Sequence, residues 1–201
     1  MIELKNISKK FGKHTIFENV NLKIKEGQLI HLQGINGSGK STLFKIICDI
    51  MEPTSGEVVK RKDLHIGAVI ENSGFIENEN LEFNLKYLYN LKNKFNEQKV
   101  KKLCSNFHLD LYSKEKLKNY SVGMRQKVAI IQAVMEDQAL ILLDEPTRGI
   151  DQEGIISFYE LLKLLKEENK TIIIASHDLE KELPFDLFLK LENQKLICEK
   201  N

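Results

Sequence analysis

The segment GINGSGKS, residues 34–41, constrains this chain more than any other, because it sets the spacing G-x-x-x-x-G-K-S between an apolar run and an amphipathic one. Gln28, Leu29, Ile30, His31 and Leu32 read as a strand, and Thr42, Leu43, Phe44, Lys45, Ile46 and Ile47 as the opening of a helix. This is the setting that a phosphate-binding loop requires. Gly34, Gly37 and Gly39 let the backbone curl close to an anion with its N–H groups turned inward, and the helix behind presents its positive end to the same place. Asn36, Ser38 and Thr42 lie within or directly behind the loop and join it as nucleotide-binding candidates. Lys40 is expected on the β- and γ-phosphates, and the Ser41 hydroxyl on Mg²⁺. The loop by itself does not choose between ATP and GTP.

Residues 139–144, ALILLD, form a short apolar run that ends in Asp144 and Glu145, and Pro146 stops it. An apolar strand ending in acid is the Walker B pattern. Asp144 is the expected outer-shell partner of Mg²⁺, while Glu145, one residue on, can face the γ-phosphate and polarise the attacking water. Upstream, YSVGMRQK places Ser121 and Gly123 at the start of a helix whose apolar positions Met124, Val128, Ile131 and Met135 follow helical spacing.

Taken together, residues 34–41, Asp144, Glu145 and the short distance from Tyr120 to Asp144 resemble the ATP-binding cassette (ABC) ATPases, whose signature usually reads LSGGQ. Here Tyr120, Val122 and Met124 replace the family's residues and Ser121 and Gly123 remain. The resemblance covers essentially the whole chain and implies further roles. Phe11, after a strand at residues 2–7, falls where the family stacks an aromatic on adenine. Arg148, Gly149, Ile150 and Asp151 fall at the D-loop, whose first two residues more often read Ser-Gly or Asn-Gly. His177, after an apolar run at 171–175, matches the switch histidine at the γ-phosphate, whereas His14, His31, His65 and His108 carry no such placement. The strand at 64–70 should end in a metal-binding glutamine, but this chain has Glu71. A carboxylate adds a full negative charge beside the metal; the alternative is a solvated acid at a strand end. A glutamate there, with SVGM, is similar to the subgroup serving bacitracin-type and lantibiotic-immunity exporters.

Composition agrees with one cytosolic cassette. The 201 residues suffice for a single α/β domain and are expected to leave no appended domain after Asn201. Lys plus Arg total 30 against 29 Asp plus Glu, so the balance of +1 gives no reason to invoke nucleic acid. Lys99, Lys101 and Lys102, and Lys114, Lys116 and Lys118, read as solvated helix faces. Cys48, Cys104 and Cys198 lack a CxxC pattern, as expected of reduced thiols. No apolar run approaches the roughly eighteen residues of a membrane span.

The expected fold is α/β: a P-loop cassette with a buried, mainly parallel sheet (residues 28–33, 64–70, 140–143 and 171–175), an N-terminal antiparallel β-layer (2–7, 20–24 and 57–59) and a helical insertion over about 72–125. In the insertion, Leu81, Leu85, Leu88 and Phe95 mark one helix and Val100, Leu103, Cys104 and Phe107 a second. Phe75, Phe83, Tyr87 and Tyr89 could face a membrane partner, though core packing explains most of them. Ile155, Tyr159, Leu162 and Leu165 mark a later helix that Asn169 caps, and residues 187–200 a hairpin turning near Asn193.

The resemblance implies an ATPase subunit that hydrolyses MgATP between two head-to-tail copies, with Ser121 and Gly123 completing the partner's site. It would drive a separate integral-membrane permease from the inner face of the cell membrane. A non-transport ABC ATPase acting on DNA or ribosomes is the alternative, opposed by the single cassette and by the absence of a long heptad-bearing coiled coil.

Overall fold

The computed structural model describes residues 1–71, 74–177 and 183–199. The expected starts and ends at Asn72 and Lys200 lie outside these. In chain order the elements are β1 (Ile2–Phe11), β2 (His14–Ile24), β3 (Leu29–Gln33), α1 (Lys40–Ile47), β4 (Ser55–Lys60), β5 (Ile66–Val69), α2 (Leu81–Tyr89) and α3 (Glu97–Asn106). They continue with α4 (Val122–Val134), β6 (Leu140–Asp144), α5 (Gln152–Glu167), β7 (Thr171–Ala175), β8 (Leu187–Glu192) and β9 (Lys195–Glu199).

Two sheets result. The first is antiparallel in the order β2-β1-β4; the second runs β5-β6-β7-β3-β8-β9, parallel except for β9. Alternate residues of the parallel strands enter opposite cores, which is why these strands read as unbroken aliphatic runs. Leu29, Ile141, Leu143, Ile172 and Ile174 pack toward α2, α3, α4 and α5. Ile30, Leu32, Leu140, Leu142, Ile173 and Ala175 pack against α1 and the antiparallel layer. In register, Leu32 and Asp144 both lie opposite Ala175, so the strand ends that carry the loop, the acids and the histidine are level.

The helices start where short polar side chains accept a backbone N–H: Asn80 from Phe83, Asn96 from Lys99, Ser121 from Met124 and Asp151 from Gly154. After α5, Asn169 takes a left-handed conformation (φ 58°) and donates its N–H to the Lys166 carbonyl, close to its expected capping place. The terminal hairpin turns through Asn193 and Gln194, both with positive φ.

Several expectations need correcting. Phe11 does not follow a strand that ends at residue 7 but closes β1, because register shifts after Leu4, Ile7 and Lys9 break the alternation by which the strand was read. Phe95 is not on α2. The helix stops at Asn90, whose side chain accepts the Phe95 N–H, and the Phe95 ring turns back edge-on to Tyr89 at 5.5 Å. Lys114, Lys116 and Lys118 occupy a loop and a 3-10 turn instead of a helix face. Of the four aromatics, Phe75 and Tyr89 are core, while Phe83 and Tyr87 stack on each other in the open. The three cysteines are free thiols, and burial pushes Cys104 up to about 12. Among the described residues no helix is long and apolar enough to cross a membrane.

Candidate functional site

Four loops meet at the carboxyl ends of the parallel strands, where open α/β sheets bind ligands. The loop after β3 ends in Gly39, whose φ of 105° excludes most side chains and which lies so close to Ile16 that a Cβ would sit 2.5 Å from its Cγ2. That turn delivers Lys40 and Ser41 to the first turn of α1. The Lys40 ammonium, only 5 % exposed, donates to the carbonyls of Gly34 at 2.6 Å and Ile35 at 3.3 Å. A buried cation held by backbone, with no carboxylate among the described residues in hydrogen-bond contact, keeps its charge available to an incoming anion.

Across from it, the Ser41 hydroxyl donates to Asp144 Oδ2. Burial pushes the Asp144 carboxyl above its usual range; the Ser41 hydrogen bond and the nearby Lys40 charge pull the other way. Glu145 holds a left-handed conformation (φ 46°) with its N–H on the Ala175 carbonyl, so the chain turns sharply at the acid. Its Oε1 is shut off from solvent and has no hydrogen-bond partner among the described residues, with Lys40 Nζ at 3.8 Å and His177 Nε2 at 3.9 Å. Buried acceptors are nearly always paired, and an orphan between a lysine and a histidine has the arrangement of a general base awaiting its proton donor. His177 Nε2–H donates to Asn36 Oδ1 at 2.6 Å, tying the end of β7 to the phosphate loop. Behind it, buried His31 on β3 hydrogen-bonds Ser176 and stacks on Phe185.

A cleft of about 380 Å³ brings together Asn36, Gly37, Gly39, Lys40, Ser41, Thr42, Glu71, Asp144 and Glu145. Gly34 and Ser38 line a second hollow, of about 460 Å³, on the other side of the loop with His177. Phe11 lines neither; it stands half exposed at the tip of the β1–β2 ribbon with Lys9 Nζ 5.0 Å from its ring centre. Ser121 and Gly123 are also absent from both linings. Ser121 is exposed and caps α4, while Gly123 packs so tightly on the D-loop that a Cβ would meet the Gly149 carbonyl oxygen at 2.2 Å. Asp151 is committed within its own chain, capping α5 and pairing with Lys127 at 2.8 Å, which holds its carboxyl below the usual range.

Two cleft residues escaped the sequence reading of the site, and a third, Arg148, was named there only as part of the D-loop. Gln126 donates to the Glu145 carbonyl at 3.4 Å. Flanked by Arg125 and Lys127, it had no signal of its own in the sequence. Ile16 covers Gly39 from β2, which no local pattern reveals. Arg148 lines the cleft where the D-loop departs from its usual residues, so the departure itself was the signal.

A phosphate loop, a strand-end acid pair and a histidine on adjacent parallel strands define a P-loop nucleotide hydrolase. Within that class, residues 17–148 match the ABC transporter family, and the chain belongs to that family as an ATP-hydrolysing cassette. It is 34 % identical over 208 residues to the lantibiotic transport ATP-binding protein SrtF of Streptococcus pyogenes, covering 100 % of this chain and 90 % of SrtF. It is 32 % identical over 188 residues to the bacitracin transport ATP-binding protein BcrA of Enterococcus faecalis, covering 88 % of this chain and 61 % of BcrA. The fold superposes with a TM-score of 0.86 and 28 % identity on the cassette MJ0796, in a dimeric post-hydrolysis state bound to ADP and Pi, covering 100 % of this chain and 98 % of that one.

Proposed function

We propose that this chain energises export of a membrane-active peptide or another amphiphile by hydrolysing ATP on the inner face of the cell membrane, docked to a separate integral-membrane permease. The relatives named for lantibiotic and bacitracin transport, and a glutamate in place of glutamine at position 71, support the substrate class. The orphaned Glu145 carboxylate carries the chemistry. Backbone N–H groups of residues 34–42 and Lys40 bind the phosphates, Glu145 takes the proton of the attacking water, and His177, held by Asn36, contacts the γ-phosphate. Phe11 covers the adenine. Ser41, Asp144 and Glu71, all oxygen donors on one cleft, fit a hard divalent cation and would hold Mg²⁺, which would neutralise charge on the β- and γ-phosphates. Ser121 and Gly123, turned away from their own cleft, complete the site of a second copy, with the D-loop around Asp151 at the same seam.

The test is Glu145→Gln, which keeps the shape and removes the base. Phosphate release should fall by about 10²–10⁴, while ATP, but not ADP, should drive a dimer seen by light scattering during gel filtration. Hydrolysis at the parental rate would remove Glu145 from the mechanism, and an inactive variant that stays monomeric with ATP would remove the shared site. Export is read separately, as salt-resistant co-purification with a polytopic membrane protein whose vesicles move peptide only with ATP.

A further inference from the structure

The outer wall of the cleft carries an ion pair that the proposed chemistry does not use. Glu71, two residues beyond the end of β5, holds a left-handed conformation (φ 58°) and aims Oε1 at Lys45 Nζ, 2.6 Å away. Lys45 lies one helical turn beyond Ser41 on α1, and Glu71 lines the cleft with Ser41 and Asp144. The extra carboxylate at position 71 thus comes with a cation within contact distance, and the two charges cancel beside the pair Ser41–Asp144.

The exposure of the two partners decides what such a pair can do. Glu71 is 62 % exposed and Lys45 26 %, so the bond is screened by water and weak enough to be exchanged. A divalent cation offers a carboxylate twice the charge at a shorter distance than an ammonium does. Lys45 and a cation held by Ser41 and Asp144 both draw on the Glu71 carboxylate.

We propose that Lys45 is a positioning residue that competes with the divalent cation for Glu71. It parks the carboxylate at the rim of the cleft and thereby lowers the metal affinity of the nucleotide site. When the metal takes Glu71, the Lys45 ammonium is released. No covalent bond changes and the exchange conserves charge. This inference rests on the reading of Glu71 as a metal ligand, and a double-variant cycle separates the two.

Mn²⁺ replaces Mg²⁺ as a spectroscopic probe, and its affinity is measured by electron paramagnetic resonance on the full chain saturated with the non-hydrolysable β,γ-imido analogue of ATP. Thermal unfolding by circular dichroism checks that each variant folds. Lys45→Met should tighten Mn²⁺ by about two- to fivefold, the strength of a partly exposed ion pair expressed as an affinity ratio. Lys45→Arg, which can keep the pair, should stay near the parent. In a Glu71→Gln background, Lys45→Met should have no effect. Equal tightening in both backgrounds would show Lys45 acting as a general field and overturn the competition. If Lys45→Met leaves affinity unchanged or weaker while Glu71→Gln weakens it, the competition falls and the ligand role of Glu71 stands. If neither substitution changes Mn²⁺ binding, both fall.

Discussion

Lys40 lies almost entirely inside the protein with its ammonium on two loop carbonyls, whereas Ser121 and Val122 project from the start of α4, Val122 being 71 % exposed. The two regions serve the same reaction in the proposed mechanism and are built in opposite ways. The loop and acid side is held by hydrogen bonds between strands β3, β6 and β7, so its charges are set before substrate arrives. The signature side is fixed to its own D-loop through Gly123 on Gly149 and Lys127 on Asp151, yet Ser121 and Val122 at its edge are exposed. An exposed edge held this rigidly is suited to contact with another molecule. On the proposed mechanism one chain carries a preorganised binding half and an outward-facing completing half.

The hardest break of that contrast is Lys40→Ala. If the cation supplies the binding half, the loss should be about 2–5 kcal/mol of MgATP affinity, the cost of removing one partner from a buried charge contact. Titration calorimetry should see binding weaken severely while circular dichroism stays native. Undiminished ATP binding would place the phosphates somewhere other than the loop.

Ser121 sharpens the other half, because its hydroxyl serves α4 in its own chain. Ser121→Ala removes the acceptor of the Met124 N–H and should cost about 1 kcal/mol of stability. Ser121→Asp restores the cap but sets a carboxylate against the partner's γ-phosphate. The aspartate variant should therefore melt like the parent, bind ATP like the parent as a monomer, and fail to dimerise in a Glu145→Gln background. Dimerisation of that variant with ATP would confine Ser121 to its capping role.

The same contrast explains what could be read from sequence. The loop, the acid pair and the aliphatic strands β3, β6 and β7 were legible because each is local: glycine spacing, an apolar run, a terminal carboxylate. Contacts made across the fold were not. Lys45 with Glu71, and Ile16 with Gly39, join residues 26 and 23 positions apart whose side chains look ordinary in isolation. Phe95 misled because it sits seven residues after Leu88, a helical interval, although Asn90 had already captured its N–H and ended the helix. Asp151 was legible as a position, but its cap and its pairing with Lys127 needed α4 and α5 side by side.

Phe11 is the finest test, because it belongs to neither half. It closes a ribbon strand, is 49 % exposed, and has Lys9 Nζ 5.0 Å from its ring centre, so in this chain it already offers a face to a cation while about half of it is exposed. Stacking of adenine on the ring is worth about 0.5–1.5 kcal/mol, and a phenol ring would serve as well. Phe11→Ala should accordingly weaken ATP and ADP equally by up to about tenfold, since both carry the base, whereas Phe11→Tyr should be silent. The equality separates Phe11 from Lys40, whose loss should fall harder on ATP than on ADP because only ATP places a γ-phosphate beside the ammonium. If Phe11→Ala discriminates between the two nucleotides, the ring acts through the phosphate loop. If alanine leaves both affinities unchanged, the exposed tip of the β1–β2 ribbon plays no part in holding the base, and Ile16, which does line the cleft, becomes the residue to substitute next.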